Sequence, residues 1–136
     1  MNITVELRDG PLVDRICPPN VHAGAVVRFE GIVRPEEEGQ PISGLDYSAY
    51  EPMASRELTR LADSVMRKFN LLALTALHSR GFVPVGGCSF MLMIAAKHRQ
   101  PALAAMEWFI DALKRDVPIW KHPIRVNTEI EKPRAY

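Results

Sequence analysis

Apolar residues recur along this chain in two periods. Between Met53 and Phe69, the residues Leu58, Leu61, Ala62, Val65, Met66 and Phe69 stand at spacings that share one face of an amphipathic helix. A second stripe of Leu103, Met106, Ile110 and Leu113 follows Pro101, which a first helical turn tolerates, and predicts a helix ending near Lys114. Pro118 forbids simple continuation. Elsewhere the pattern is that of strands. Met1 to Arg8 alternates apolar with polar and carries Glu6, which suits a half-buried strand. Ala25 to Val33 is β-branched and partly alternating, and Pro35, Glu36, Glu37, Glu38 and Gly39 end it in a mobile loop. Leu45, Tyr47 and Ala49 then share one face of a return strand, antiparallel to the first around that loop. Leu71 to His78 predicts a strand, Gly81 to Gly87 a turn, and Cys88 to Ala96 a nearly continuous apolar strand buried on both faces. Ile124 to Ile130 alternates as a last strand at an edge. The segment from Gly10 to Gly24, with Pro11, Pro18 and Pro19, is a surface connection with room for one helical turn around Leu12 to Ile16. The order strand, strand, strand, helix, strand, strand, helix, strand predicts an α+β domain with antiparallel pairing, not a doubly wound parallel sheet.

Composition narrows the functional classes. A chain of 136 residues is expected to form one domain, residues 1–136, and to bury roughly two-thirds of the surface its unfolded form exposes. With 17 Lys and Arg against 16 Asp and Glu, no global field draws it onto nucleic acid or an anionic membrane, so any anion site must be local. Cys17 and Cys88 lie in no CxxC or His/Cys cluster and follow no signal peptide, which reads as reduced cytosolic thiols. The uncharged stretch from Gly81 to Ala96 is too short, and too broken by Pro84, Gly86 and Gly87, to span a bilayer. A soluble cytoplasmic protein is expected. The chain has no Gly-rich phosphate loop, HExxH, GxSxG or metal-ligand spacing, so nucleotide hydrolysis, zinc proteolysis and serine esterase chemistry lose support.

What remains are cations at the ends of apolar elements. His98 and Arg99 stand between a buried strand and a helix start, where unpaired backbone N–H groups favour phosphate or carboxylate. They fit a solvated turn as well. Arg34 closes a strand and fits either an anion site or an ion pair with Glu36 to Glu38. Lys114 and Lys121 flank Val117-Pro118-Ile119-Trp120. If they converge beside the indole of Trp120, repulsion and desolvation lower the pKa of at least one of them and make a lysine that exchanges protons near neutral pH. Otherwise Lys114 is a helix C-terminal cation and Lys121 a surface residue. His78 and His122 read as structural or solvated, and Met91 and Met93 as core residues sharing a strand face.

Four segments together resemble a known family, the large, catalytic subunits of molybdopterin synthase (the MoaE family). They are Gly24-Ala25-Val26-Val27-Arg28-Phe29-Glu30-Gly31-Ile32-Val33-Arg34, Tyr50-Glu51-Pro52-Met53-Ala54, Ala96-Lys97-His98-Arg99, and Leu113-Lys114-Arg115-Asp116-Val117-Pro118-Ile119-Trp120-Lys121. The resemblance implies an α/β hammerhead-like domain with an additional antiparallel β-sheet and two main helices. It implies a homodimer in which each protomer takes the C-terminal Gly-Gly tail of a small ubiquitin-like sulfur carrier (a MoaD-like subunit), giving a heterotetramer. The tail ends in a thiocarboxylate, whose sulfur passes to cyclic pyranopterin monophosphate (precursor Z) to build the molybdopterin dithiolene. By the same resemblance Lys114 and Lys121 are catalytic, while Arg34, His98 and Arg99 bind the pterin and its phosphate and Phe29 shapes the pocket. The resemblance also implies pockets to which both chains contribute, and leaves open which protomer supplies His98 and Arg99 to each. No cofactor or redox metal is required, because the sulfur arrives activated.

The chain departs from the family after Lys121, where His122-Pro123-Ile124 replaces a basic residue and a glutamate, and Arg125 or Arg134 stands as a substitute for a basic residue of a longer tail. Glu36, Glu37 and Glu38 also oppose an anionic substrate unless their loop points away. The rival class is a non-catalytic anion-binding or small-molecule-binding regulatory domain on the same frame. An RNA-binding module is disfavoured by the neutral charge and the lack of an aromatic-basic strand motif.

Overall fold

The computed structural model describes residues 2–13 and 22–126. Cys17, the end of the expected turn around Leu12 to Ile16, residues 127–130 of the expected last strand, and Arg134 lie outside them. In chain order the elements are β1 (Asn2–Asp9), β2 (Ala25–Ile32), β3 (Glu36–Glu37), β4 (Gln40–Ala49), α1 (Met53–Lys68), β5 (Ala73–Pro84), β6 (Cys88–Ala96), α2 (Arg99–Asp116) and β7 (Ile119–Arg125).

Strand β6 is flanked by antiparallel β2 and β5, and all nine of its residues are buried, which explains its unbroken apolar run. Its two faces do different work. Phe90, Leu92, Ile94 and Ala96 meet both helices in the main core, while Cys88 and Met91 pack with Leu12 and Leu77 in a second cluster. Helix α1 buries Leu58, Leu61, Ala62, Val65 and Met66, the stripe its spacing predicts. Its start is closed by Glu51, whose carboxylate accepts the Ser55 N–H at 2.8 Å.

Helix α2 turns differently from its predicted stripe. It buries Ala102, Ala105, Phe109, Ala112 and Leu113, whereas Leu103 is 55% exposed. Small alanines let the helix lie close to the sheet, and a hydrophobicity pattern weighted by Leu, Met and Ile misses them. The helix also begins two residues before Pro101, which still falls in the first turn, where its missing N–H costs nothing.

Sheet pairing corrects four further expectations. Strand β4 does not return along β2; β2 pairs β6 from Ala25↔Ala96 onward, and β4 pairs β3, β5 and β7. The segment after Pro35 is a tight hairpin instead of a loop, with Glu37 opposite Gln40 and positive φ at Glu38 (53°) and Gly39 (76°), as a two-residue turn requires. Strand β5 runs on to Pro84 through the region expected to turn. Its first part lies between parallel β1 and antiparallel β6, and from Gly81, at φ 85°, it pairs β4 instead. Strand β7 starts at Ile119, not Ile124, and among the described residues it pairs with β4 alone, which is why Pro123 is tolerated there. The architecture is thus α+β, a hammerhead-like domain of two main helices on one sheet face with an additional antiparallel sheet built from β3, β4, β7 and the end of β5. No helix among the described residues is long and apolar enough to cross a membrane.

Candidate active site

A cleft of about 490 Å³ opens where the two parts of the sheet meet the C-terminal end of α2. That volume suits a small organic ligand. Arg34 reaches it from the end of β2, Lys114 from the last turn of α2, and Lys121 from β7. The two lysines reach one cleft because Val117, in extended conformation, and Pro118 end the helix and send the chain back as a strand along β4. Lys114 also sits where the helix dipole favours a cation. Phe29 lines the wall and leans on Phe90, their ring centres 6.0 Å apart.

Trp120 does not belong to this site. Successive residues of a strand face opposite ways, so next to Lys121 its indole points away from the cleft and is 54% exposed. His98 and Arg99 are absent from the cleft of this chain too. They are exposed at the N-terminal end of α2, and at 1.5 Å per residue Arg99 is about 22 Å along the helix from Lys114. One polypeptide therefore gathers three of the five expected cations. His122 contacts Ser48 Oγ at 3.1 Å on an exposed surface, in keeping with a solvated role.

Four polar groups of the wall were not among the expected site residues. Tyr47 Oη donates to Ser89 Oγ at 2.9 Å, and Ser89 Oγ donates to the Gly31 carbonyl at 3.4 Å. His78 is buried against the rings of Tyr47 and Phe90, and its Nδ1 donates to the Ser79 carbonyl at 2.8 Å. Burial pushes its pKa below the ordinary value, with the Ser79 hydrogen bond opposing. The fourth is Glu37. The hairpin turns this glutamate inward, and its Oε2 lies 2.7 Å from Lys121 Nζ. That hydrogen bond, with the charges of Lys121, Arg34 and Arg125, holds the carboxyl below the usual carboxylate range against the opposing effect of desolvation. Its sign was legible in the run Glu36 to Glu38, its direction was not. Burial raises the pKa of Cys88, a free thiol in the second core cluster, which leaves it inert.

Fold and cleft define a small α+β domain with a local cluster of cations between a helix end and a folded-over sheet. Comparison with known proteins narrows this. Residues 8–116 match the family described as MoaE protein. A "Molybdopterin synthase catalytic subunit" of Thermoplasma volcanium is 36% identical over 116 residues, 85% of this chain and 83% of that one. Some relatives are longer: the chain spans 61% of the length of the Arabidopsis thaliana protein of the same description. Among solved structures, molybdopterin synthase from Staphylococcus aureus aligns at TM-score 0.76 and 30% identity, covering 93% of this chain and 91% of that one. A complex of subunits 1 and 2 of molybdopterin-converting factor from Helicobacter pylori contains a chain that aligns at TM-score 0.69 and 26% identity, covering 90% of each. The chain belongs to the MoaE family of molybdopterin synthase catalytic subunits and is an enzyme subunit of molybdenum cofactor biosynthesis.

Proposed function

We propose that this chain is the sulfurtransferase subunit of a molybdopterin synthase, a single large-subunit domain acting in the cytoplasm on cyclic pyranopterin monophosphate. The observation that carries the reading is the convergence of Arg34, Lys114 and Lys121 in one cleft. Both reactants are anions, a carrier tail ending in a thiocarboxylate and a pterin phosphate, and a local cationic cleft in a nearly neutral protein suits them. In each transfer the acyl C–S bond of the carrier breaks and that carbon takes an oxygen from water, leaving a carboxylate. The sulfur forms a C–S bond to the pterin side chain, which releases its oxygen as water. Negative charge grows on the tetrahedral acyl intermediate, where Lys114 and Lys121 stabilise it and move protons. Arg34 holds phosphate, and Phe29 with Phe90 supplies an apolar wall for the pterin.

His98 and Arg99, about 22 Å along α2 from Lys114, serve the cleft of a second protomer, so the working unit is a homodimer. Two small sulfur carriers with Gly-Gly tails complete a heterotetramer, in line with the two-subunit Helicobacter pylori complex. Reconstitution with a thiocarboxylated carrier and cyclic pyranopterin monophosphate tests the proposal. Lys114→Ala and Lys121→Ala are each expected to cut dithiolene formation by about 100-fold or more with the fold and dimer retained. Equal turnover by the wild type and the double variant would leave only the anion-binding regulatory reading.

A further inference from the structure

The carboxylate inside the cationic cleft has no part in the scheme above. Glu37 reaches Lys121 from a hairpin that is itself pinned. Its backbone pairs with Gln40 across the turn, and its carbonyl accepts a hydrogen bond from Arg125 Nη1 at 3.2 Å. The Glu37 side chain is 15% exposed, the Lys121 side chain 53%. A long, half-exposed lysine is therefore tethered by a short, sheltered carboxylate. The charged and titratable groups that line the same cleft are Arg34 from the β2–β3 link, Lys114 from α2, Tyr47 opposite on β4 and His78 on β5, and the charge of Arg125 on β7 acts on Glu37. Among the described residues lining the cleft, Glu37 is the one carboxylate. Without it the ammonium would share the cleft with Arg34 and Lys114 alone, and repulsion would favour its swing into solvent.

We propose that Glu37 is a positioning residue for sulfur transfer: its carboxylate holds the Lys121 ammonium aimed into the cleft as a standing hydrogen-bond donor for the acyl intermediate. This rests on the synthase reading for the reaction served, but not for the ion pair. A carboxylate that merely kept the place of the carrier's tail would have to leave when the tail arrives. A group fixed through both its side chain and its backbone is instead built into the wall.

Glu37→Gln, made in the full-length protein and assayed with a thiocarboxylated carrier, tests this alongside the side-chain mobility of Lys121, read by NMR relaxation of lysine-labelled protein assigned with Lys121→Arg. In Glu37→Gln the Lys121 side chain is expected to become as mobile as a free surface lysine. Turnover is expected to fall about tenfold or more, because a misplaced group loses its catalytic geometry, while KM for the carrier changes little. Glu37→Asp, which keeps the charge, is expected to recover part of the loss. Glu36→Gln, on the exposed side of the hairpin, controls for the hairpin's integrity and is expected to behave as wild type. An unchanged Lys121 side-chain mobility would overturn the proposal. So would a lower KM with kcat intact, which would make Glu37 an occupant of the tail's anion site. Should the wild type transfer no sulfur, the synthase reading fails, and the mobility measurement alone still decides whether Glu37 holds Lys121.

Discussion

Acid is expected to weaken this fold through His78, and the size of the effect follows from how the ring is held. The imidazole is 7% exposed, edge-on to Tyr47 at 5.2 Å and tilted against Phe90 at 5.7 Å. Because its Nδ1 faces a carbonyl, which only accepts, the neutral ring carries its proton there. Burial lowers the folded-state pKa below the ordinary 6.5, so in acid the unfolded chain takes up a proton that the folded one refuses. The stability tied to the neutral ring is thus fully present above pH 6.5 and is lost as pH falls from there towards the folded-state value. One proton gives a slope of at most about 1.4 kcal/mol per pH unit, and integrating from pH 7.5 to 5.5 bounds the loss at about 1.4 kcal/mol. At an m-value of about 1–3 kcal/mol/M, that is a urea midpoint lower by up to roughly 0.5–1.4 M. The assay is urea unfolding of wild type and His78→Phe at both pH values. Phenylalanine keeps a ring against Tyr47 and Phe90 and leaves the Ser79 carbonyl without its donor, at a cost of about 1 kcal/mol that does not depend on pH. Subtracting the variant's pH dependence from that of wild type removes the contribution of the carboxylates and isolates His78. Equal losses in the two proteins would show that His78 is not the buried base.

Two further outcomes test the packing and the assembly. A Cβ on Gly24 would lie 2.2 Å from the Lys97 backbone oxygen, so Gly24→Ala must shift the pairing of β2 with β6. We expect it to lose about 1–3 kcal/mol, read as a lower Tm, and an unchanged Tm would refute the close approach. If His98 and Arg99 serve the neighbouring cleft, Lys114→Ala and Arg99→Ala protomers are each impaired alone, yet their mixed dimer regains one intact cleft; a mixed dimer as inactive as both parents would place all these groups in one chain's site.

The candidate site was partly legible before the fold was known. Arg34, Lys114 and Lys121 stand at ends of apolar elements, where the chain must turn and a cation stays near water, and all three line the cleft. His98 and Arg99 also stand at such an end, but a helix of 18 residues separates them from Lys114, and helix length carries them to the far side. Tyr47, Ser89 and His78 gave no signal, because each lies within a strand and belongs to no motif or charge cluster that marks a site. Glu37 was visible only as one of three like charges. A two-residue turn with positive φ at Glu38 and Gly39 selects which of them faces Lys121.

Local pattern alone determined where the helices and most strands lie, since helical and strand periods depend only on neighbours along the chain. It also determined that β6 would be buried on both faces, because a run with no polar side must be covered twice. The choice of strand partners belonged to the tertiary structure, as did the alanine face of α2 and the passage of β5 at Gly81 from one set of neighbours to another. These depend on contacts between residues far apart in sequence, whose register no periodicity encodes. The same holds for the tether between Glu37 and Lys121: two residues 84 positions apart meet only because β3 and β7 both lie along β4.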